Sequence, residues 1–128
     1  MGMTTNPKLT GMASPRIAIC AAPTSFKSLR GDIVGKEHQD ITIRVISSGD
    51  THRASPLTSA MCLGAACRIN GTIPFGLTKG EKPETRIGNP SGVLTVGADV
   101  VLEHGGWSVR RTYSYRTQRR LMEGTVLV

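Results

Sequence analysis

The longest uncharged stretch of the chain, Ala54–Cys67, predicts its central helix. Ser55 can accept hydrogen bonds from the free N–H groups of a helix start, and Pro56 lies where its missing N–H costs nothing. After the stretch, the pair Asn70–Gly71 can form a left-handed cap. The pattern therefore predicts a helix over about Pro56–Ile69.

This predicted helix carries small or apolar residues on both sides. One stripe at helical spacing consists of Thr58, Met61, Cys62, Ala65 and Ile69, and the opposite side of Leu63, Gly64 and Ala66. A helix that is apolar all round is buried all round, so we expect strands to wrap it. The stretch is shorter than the roughly 20 residues that a membrane span needs.

The first turn of the predicted helix, Leu57–Ala60, contains no acidic residue and offers the hydroxyl groups of Thr58 and Ser59. The unpaired N–H groups and partial positive charge of a helix start attract anions. His52 and Arg53 lie just upstream and add basic groups. This chemistry suits a carboxylate or a phosphate, although Ser-Pro also opens helices that bind no ligand.

Alternating and continuous apolar runs predict strands on both sides of the helix. The predicted strands are Arg16–Ala22, which reads as buried, Gly92–Leu102, a strand from Trp107 after the turn at Gly105–Gly106, and Leu121–Val128. The segment Arg86–Gly92 is expected to turn between two extended pieces. The mixed order, with a strand-rich C-terminal third, indicates an α+β fold.

Three further segments have weaker signals. Loops are expected over Thr24–Gly35 and Phe75–Lys82, and Pro74 is expected to stop the helix from resuming. In Asp40–Ser47, apolar residues alternate as in a strand but also fit a helix, and periodicity alone slightly favours the strand. Residues 1–14 are polar and unpatterned, which predicts a disordered tail or linker before one domain over 15–128.

Composition narrows the function classes. The 128 residues carry a net charge of +7, which suits nucleic acid, an acidic surface or an anionic substrate. Aromatic residues make up 4%, too few for a base-stacking platform. Three cysteines without a Cys-x-x-Cys pair predict neither a metal site nor a disulfide framework. We expect reduced thiols, a cytoplasmic protein and no cofactor.

Three stretches together resemble a known family. They are SGDTHRASPLTSAMCLGAACRINGTIP, RIGNPSGVLTVGA and the final RRLMEGTVLV. In this order and spacing they resemble the C-terminal part of the diaminopimelate-epimerase-like superfamily. The branch is that of methylaconitate and methylitaconate cis–trans isomerases and 4-oxalomesaconate tautomerases. The resemblance covers about Pro15–Val128.

The resemblance implies a fold in which a mixed, curled β-sheet wraps one buried central helix, with a second, similar domain outside this chain. It also implies that Asp40–Ser47 is helical, and we adopt that interpretation over the periodicity. The implied chemistry is proton transfer next to a carboxylate of a small unsaturated di- or tricarboxylate. The catalytic base is expected in the N-terminal half of such proteins, so this chain would be the C-terminal part of the active unit.

The resemblance also implies a set of substrate contacts. They are His52, Arg53, Thr58, Ser59, Ser91 and Gly92. Thr58 and Ser59 would face the substrate carboxylate, while Ser91 and Gly92 would form a second contact loop. The histidine would lie nearby, and the arginine would supply positive charge. The expected partners are the small carboxylate and an N-terminal domain or second subunit, with no membrane.

Two positions depart from the family pattern. Epimerases have a catalytic cysteine just before the central helix, where this chain has Pro56-Leu57. Cys62 lies more than a turn inside the helix, so a two-thiol mechanism is not expected. The loop has Asn89 before its proline, where this branch often has histidine.

Two other functions remain open at this stage. A basic nucleic-acid-binding module is suggested by the net charge and by arginines on and after the strand from Trp107. Those arginines are Arg110, Arg111, Arg116, Arg119 and Arg120. A truncated, non-catalytic remnant would expose an apolar face where another domain should dock.

Overall fold

The computed structural model describes residues 16–47, 49–78, 80 and 82–125. The tail expected over residues 1–14 lies outside these ranges. The strands are β1 Ile17–Ala21, β2 Phe26–Lys27, β3 Ile33–Val34, β4 Ile41–Ser47, β5 Asp50–Thr51, β6 Glu84–Asn89, β7 Gly92–Glu103 and β8 Gly106–Ser114. The α-helices are α1 Leu57–Ala66 and α2 Ile73–Thr78, and a 3-10 turn spans Lys36–His38.

One mixed sheet forms the body of the chain. Its order is β1-β4-β6-β7-β8, with β5 paired to the end of β4. Neighbouring strands are antiparallel except for β4 and β6, which run parallel. The short β2–β3 hairpin stands apart as a second sheet. The predicted α+β class, with a mixed β-sheet packed on one central helix, is confirmed.

The core lies between the sheet and one side of α1. Its buried members are Ile41, Ile43, Val45, Ala60, Leu63, Cys67, Ile87 and Val96. Gly64 brings the helix backbone close to β7, because a Cβ there would lie 2.8 Å from Cγ2 of Val96. Cys67 is 0% exposed, and this burial raises the pKa of its thiol.

The expectation that α1 is buried all round is wrong. Ala60, Leu63, Gly64 and Ala65 are buried, whereas Thr58 and Cys62 are exposed. The reason is that the sheet covers one side of the helix, where α1 contacts β6, β7 and β8. The other side borders an open groove beside the edge strand β1.

The ends of α1 differ from the prediction in detail. Pro56 is the N-cap, one residue before the helix, and no side chain caps this end. Ser55 therefore lies outside the cap position, and its hydroxyl bonds the Pro56 carbonyl at 3.5 Å instead. At the other end the α-helix stops at Ala66, and a 3-10-type bond from the Ile69 N–H to the Ala66 carbonyl closes the last turn.

The helix adopted for Asp40–Ser47 is wrong, because this segment forms strand β4. Ile41, Ile43 and Val45 alternate into the core with 0%, 1% and 2% exposure. Five residues of β4 pair with β1 on one side, and its first residues pair with β6 on the other. The period-two pattern therefore matched the structure, and the family-based choice did not.

Several loop and strand predictions also need correction. The strand at β1 exists but is not buried, since it is an edge strand and Ile19 is 57% exposed. Pro74 does not block helix resumption, because it lies in the first turn of α2, where proline is tolerated. Residues 75–78 are consequently helical rather than loop.

Three other segments differ from their predicted structure. The expected loop Thr24–Gly35 contains the β2–β3 hairpin. The expected turn Arg86–Gly92 is mostly strand β6, and the turn itself occupies only residues 90–91. Residues 121–125 form no strand, and the remainder of that predicted strand lies outside the described ranges. No helix in the described part of the chain is long and apolar enough to cross a membrane.

Candidate functional site

Two cavities flank the first turn of α1. The first, here called the helix-start pocket, has a volume of about 470 Å³ and is lined by residues that include Ser55, Leu57, Ser91, Gly92, Arg30 and Arg116. The second, here called the edge groove, has a volume of about 530 Å³ and lies between β1 and α1. Its lining includes Arg16, Cys20, Thr58, Ser59, Cys62 and Ala66.

The turn between β6 and β7 forms one wall of the helix-start pocket. Asn89 ends β6, and its side-chain oxygen accepts a hydrogen bond from the Ser91 N–H at 3.1 Å. Gly92 has φ +126°, a conformation that disfavours any side chain. The Ser91 hydroxyl donates to the Arg53 carbonyl at 2.6 Å. This bond ties the turn to the segment that leads into α1.

The start of α1 forms the adjoining wall. The Ala60 N–H bonds the Pro56 carbonyl at 2.9 Å, so the N–H groups of residues 57–59 precede the first intrahelical bond. The first turn contains no acidic residue, and no side chain caps it. No residue that lines the pocket carries a carboxylate. The wall is therefore electrostatically suited to an anion.

The edge groove is a more apolar feature on the other side of α1. Cys20 and Ala66 are among its lining residues, and burial raises the pKa of the Cys20 thiol. Thr58 and Ser59 face this groove, and the Thr58 hydroxyl accepts a bond from Arg16 at 3.4 Å. Most residues that line this groove are small or apolar.

The predicted site residues are thus divided. Ser91 and Gly92 line the helix-start pocket, whereas Thr58 and Ser59 line the edge groove. His52 and Arg53 line neither cavity. The His52 N–H bonds the Val45 carbonyl at 2.8 Å, and its Nε2 is buried without a hydrogen-bond partner among the described residues. The Arg53 backbone touches Ser91, but its side chain is exposed.

Sequence reasoning did not identify Arg30, Arg116 or Asn89 as pocket residues. Arg30 lay in a segment taken as plain loop, and the hairpin that carries it has strands of only two residues. Arg116 was grouped with the other arginines on and after the strand from Trp107. The Asn89-Pro90-Ser91 sequence was a usable signal, since asparagine commonly bonds the backbone two residues on.

The arginine-rich strand offers less free charge than the sequence suggests. Arg110 is paired with Glu103, and Arg111 with Asp99 at 2.5 Å. These exposed pairs partly neutralise β8 as a surface for phosphates. Among the described residues, no group of three His, Cys, Asp or Glu side chains is arranged to hold a metal ion.

Comparison with known proteins identifies the family of this chain. A 2-methyl-aconitate isomerase of Shewanella oneidensis is 41% identical over 116 residues, which is 90% of this chain and 29% of the relative. A 3-methylitaconate isomerase of Eubacterium barkeri is 31% identical over 119 residues, 91% of this chain and 30% of the relative. This chain therefore spans less than a third of these relatives.

A solved structure and a family model agree with these relatives. The crystal structure of a methylitaconate-delta-isomerase superposes with a TM-score of 0.66 at 25% identity, covering 82% of this chain and 28% of that one. The family model described as PrpF protein matches residues 1–128. Because that match extends over the whole sequence, the chain belongs to the PrpF protein family.

Proposed function

We propose that this chain is the C-terminal part of an isomerase that moves a proton next to a carboxylate of a small unsaturated di- or tricarboxylate. The observation that carries the proposal is the helix-start pocket, where the acid-free start of α1 meets the Ser91–Gly92 turn. The names of the relatives, 2-methyl-aconitate isomerase and 3-methylitaconate isomerase, support the same chemistry.

In this proposal the chain binds and polarises the substrate. Removal of a proton next to a carboxylate develops negative charge on the carboxylate oxygens. Preorganised N–H groups at the start of α1 would stabilise that charge without rearranging during the reaction. Such a contribution is typically worth several kcal/mol, on the order of 3 for one donor.

The substrate contacts that the pocket supports are Ser91 and Gly92. Thr58 and Ser59 would contribute through their backbone N–H groups, because their side chains face the edge groove. Neither the His52 nor the Arg53 side chain lines the pocket. In this proposal the two residues contribute through their backbone, which leads into α1 and bonds Ser91 at the Arg53 carbonyl. The base that moves the proton would come from the rest of the fold.

The edge groove and β1 suggest where the rest of the fold would dock on this chain. The outer edge of β1 pairs with no other strand among the described residues, and Ile17 and Ile19 are 49% and 57% exposed. The relatives are more than three times longer than the matched segment. We therefore place the docking of an N-terminal domain, or of a second subunit that supplies it, along β1 and the edge groove.

Reconstitution tests the proposal directly. This chain would be co-expressed with the N-terminal portion of the Shewanella oneidensis relative, ending where the matched segment begins. The pair is expected to isomerise 2-methylaconitate and to incorporate deuterium from heavy water at the carbon next to a carboxylate. The N-terminal portion alone serves as the control.

Two results would contradict the proposal. The first is a stable reconstituted complex that neither turns over nor exchanges hydrogen with any methylaconitate or methylitaconate. The second is binding of the carboxylate at a place other than the helix-start pocket, as judged by amide chemical-shift changes away from Leu57 and Ser91.

A further inference from the structure

Two arginines line the helix-start pocket without a role in the proposed chemistry. Arg30 approaches from the β2–β3 hairpin, and Arg116 from the segment that follows β8. They come from opposite ends of the sequence, so the tertiary structure alone brings them to one cavity. Among the described residues, neither guanidinium has an ion-pair partner.

The backbone that carries Arg30 is well fixed. The Ser28 N–H bonds the Asp32 carbonyl at 2.8 Å, and the Ser28 hydroxyl accepts from the Arg30 N–H at 3.2 Å. The Leu29 N–H bonds the Pro90 carbonyl at 2.8 Å, which joins this turn to the turn that contains Ser91. The arginine is therefore attached to the pocket wall through its own neighbours.

The backbone before Arg116 is also anchored. The Tyr115 hydroxyl donates to Glu84 at the start of β6, and its ring lies edge-on to Tyr113 with centroids 6.1 Å apart. These contacts hold the chain against the sheet after β8 has ended. Arg116 follows directly and lines the pocket.

The charge balance of the pocket indicates its ligand. Two guanidinium groups line a cavity of about 470 Å³, and no lining residue is acidic. That volume falls within the range of small-molecule sites. Guanidinium binds carboxylates through paired, charge-assisted hydrogen bonds that are stronger than neutral ones.

We propose that Arg30 and Arg116 determine substrate specificity by binding separate carboxylates, so that the pocket selects di- and tricarboxylates over monocarboxylates. This inference rests on the proposed function and adds its selectivity. Both arginines are exposed, so a monocarboxylate would bind one guanidinium and leave the other hydrated. A ligand with two or three carboxylates would engage both.

Calorimetric titration of the 128-residue chain tests the inference. cis-Aconitate carries three carboxylates, and crotonate is an unsaturated acid with one. Arg30→Gln and Arg116→Gln are each expected to weaken cis-aconitate binding by about tenfold, while crotonate binding falls less than about threefold. Arg30→Lys, which keeps the charge, should recover part of the loss.

The control is Arg119→Gln, an arginine of the same C-terminal segment that lines no described cavity and has no ion pair in the described residues. It should bind both acids like the unaltered chain. An equal loss in this control would show general attraction to a basic protein and overturn the inference. Equal losses of both acids in Arg30→Gln and Arg116→Gln would also overturn it, because they indicate a structural role.

The remaining outcomes separate the inference from the proposed function. If the variants bind cis-aconitate as tightly as the unaltered chain, the arginines have no selective role and the proposed function stands. If the unaltered chain binds cis-aconitate no better than crotonate, the selectivity inference is overturned but the proposed function stands. If it binds no carboxylate, both fail.

Discussion

Asp40 illustrates how single residues fix the parallel pair in the sheet. Its carboxylate accepts from the Arg86 backbone N–H at 2.8 Å and from the Arg86 guanidinium at 2.8 and 3.2 Å. The Asp40 N–H in turn bonds the Arg86 carbonyl. Lys82 adds a weaker pair at 3.4 Å. These bonds hold the starts of β4 and β6 together, where the two strands run parallel.

The Asp40–Arg86 pair predicts a pH dependence of stability. Burial raises the pKa of Asp40, but the hydrogen bonds and charge of Arg86, with the charge of Lys82, outweigh burial and lower it from 3.8 to about 2. Because the folded pKa is below the unfolded one, the pair stabilises the fold above about pH 4. That contribution is lost as the pH falls towards 2.

Asp40→Asn is therefore expected to lower the free energy of unfolding by about 2 kcal/mol at pH 7 and by much less at pH 2.5. Urea titrations at the two pH values measure this. Asp99→Asn, which removes the more exposed pair with Arg111, should change stability by less than about 1 kcal/mol. Equal effects of the two variants at pH 7 would contradict the assignment.

Ser91 provides the second residue-scale prediction. Its hydroxyl bond to the Arg53 carbonyl aligns the turn with the start of α1. Ser91→Ala should lower the free energy of unfolding by less than about 1.5 kcal/mol. It should weaken cis-aconitate binding severalfold, because the turn is no longer hydrogen-bonded to the segment that leads into α1. Ser108→Ala, on the exposed part of β8, is the matched control and should leave binding unchanged.

At the scale of elements, the distance between α1 and β7 depends on one glycine. Gly64 is buried, and a Cβ there would approach Cγ2 of Val96 to 2.8 Å and its Cβ to 3.5 Å. Val96 is fully buried and its χ1 is stiff, so it cannot easily move away. The helix can lie this close to the sheet only because residue 64 has no side chain.

Gly64→Ala should therefore destabilise the fold by about 1–2 kcal/mol despite the better helix propensity of alanine. Gly76→Ala in α2 is the matched control, because a Cβ there meets nothing within 4 Å. It should be neutral or stabilising by up to about 1 kcal/mol. Thermal unfolding of both variants decides the matter, and a stabilised Gly64→Ala would refute the close-packing argument.

At the scale of the whole molecule, the important feature is the outer edge of β1, which pairs with no other strand among the described residues. β1 has no charged residue between Ile17 and Ala21, and the apolar edge groove lies beside it. Natural edge strands usually carry charges, prolines or bulges that discourage pairing with another chain. The absence of these devices at β1 is expected where another part of a fold normally covers the strand.

This edge predicts concentration-dependent self-association of the isolated chain. Ile19→Lys should shift sedimentation towards the monomer, because a charge at the strand edge opposes added strands. Ile33→Lys alters a more exposed isoleucine, 73% against 57%, on the separate β3 and should have little effect. A compact monomer of the unaltered chain at high concentration would contradict the docking role of β1.

The sequence by itself determined the elements with strong local patterns. The uncharged run predicted α1, and alternating residues indicated β4, β7 and β8. A helix or strand that packs one face against the core carries apolar residues at the period of that element. Three sequence stretches were also enough to identify the family, which the comparisons confirmed. The family-based helix at Asp40–Ser47 failed where the plain alternation was correct.

The tertiary structure alone decided which residues share a cavity and which helix faces are covered. Arg30 and Arg116 are 86 positions apart and line one pocket, while Ser55 and Thr58 are three positions apart and line different cavities. Periodicity shows whether one face of a helix or strand is apolar, but not which other element packs against that face. The physical reason is that strand order and open edges arise from pairing between distant segments, which no local pattern encodes.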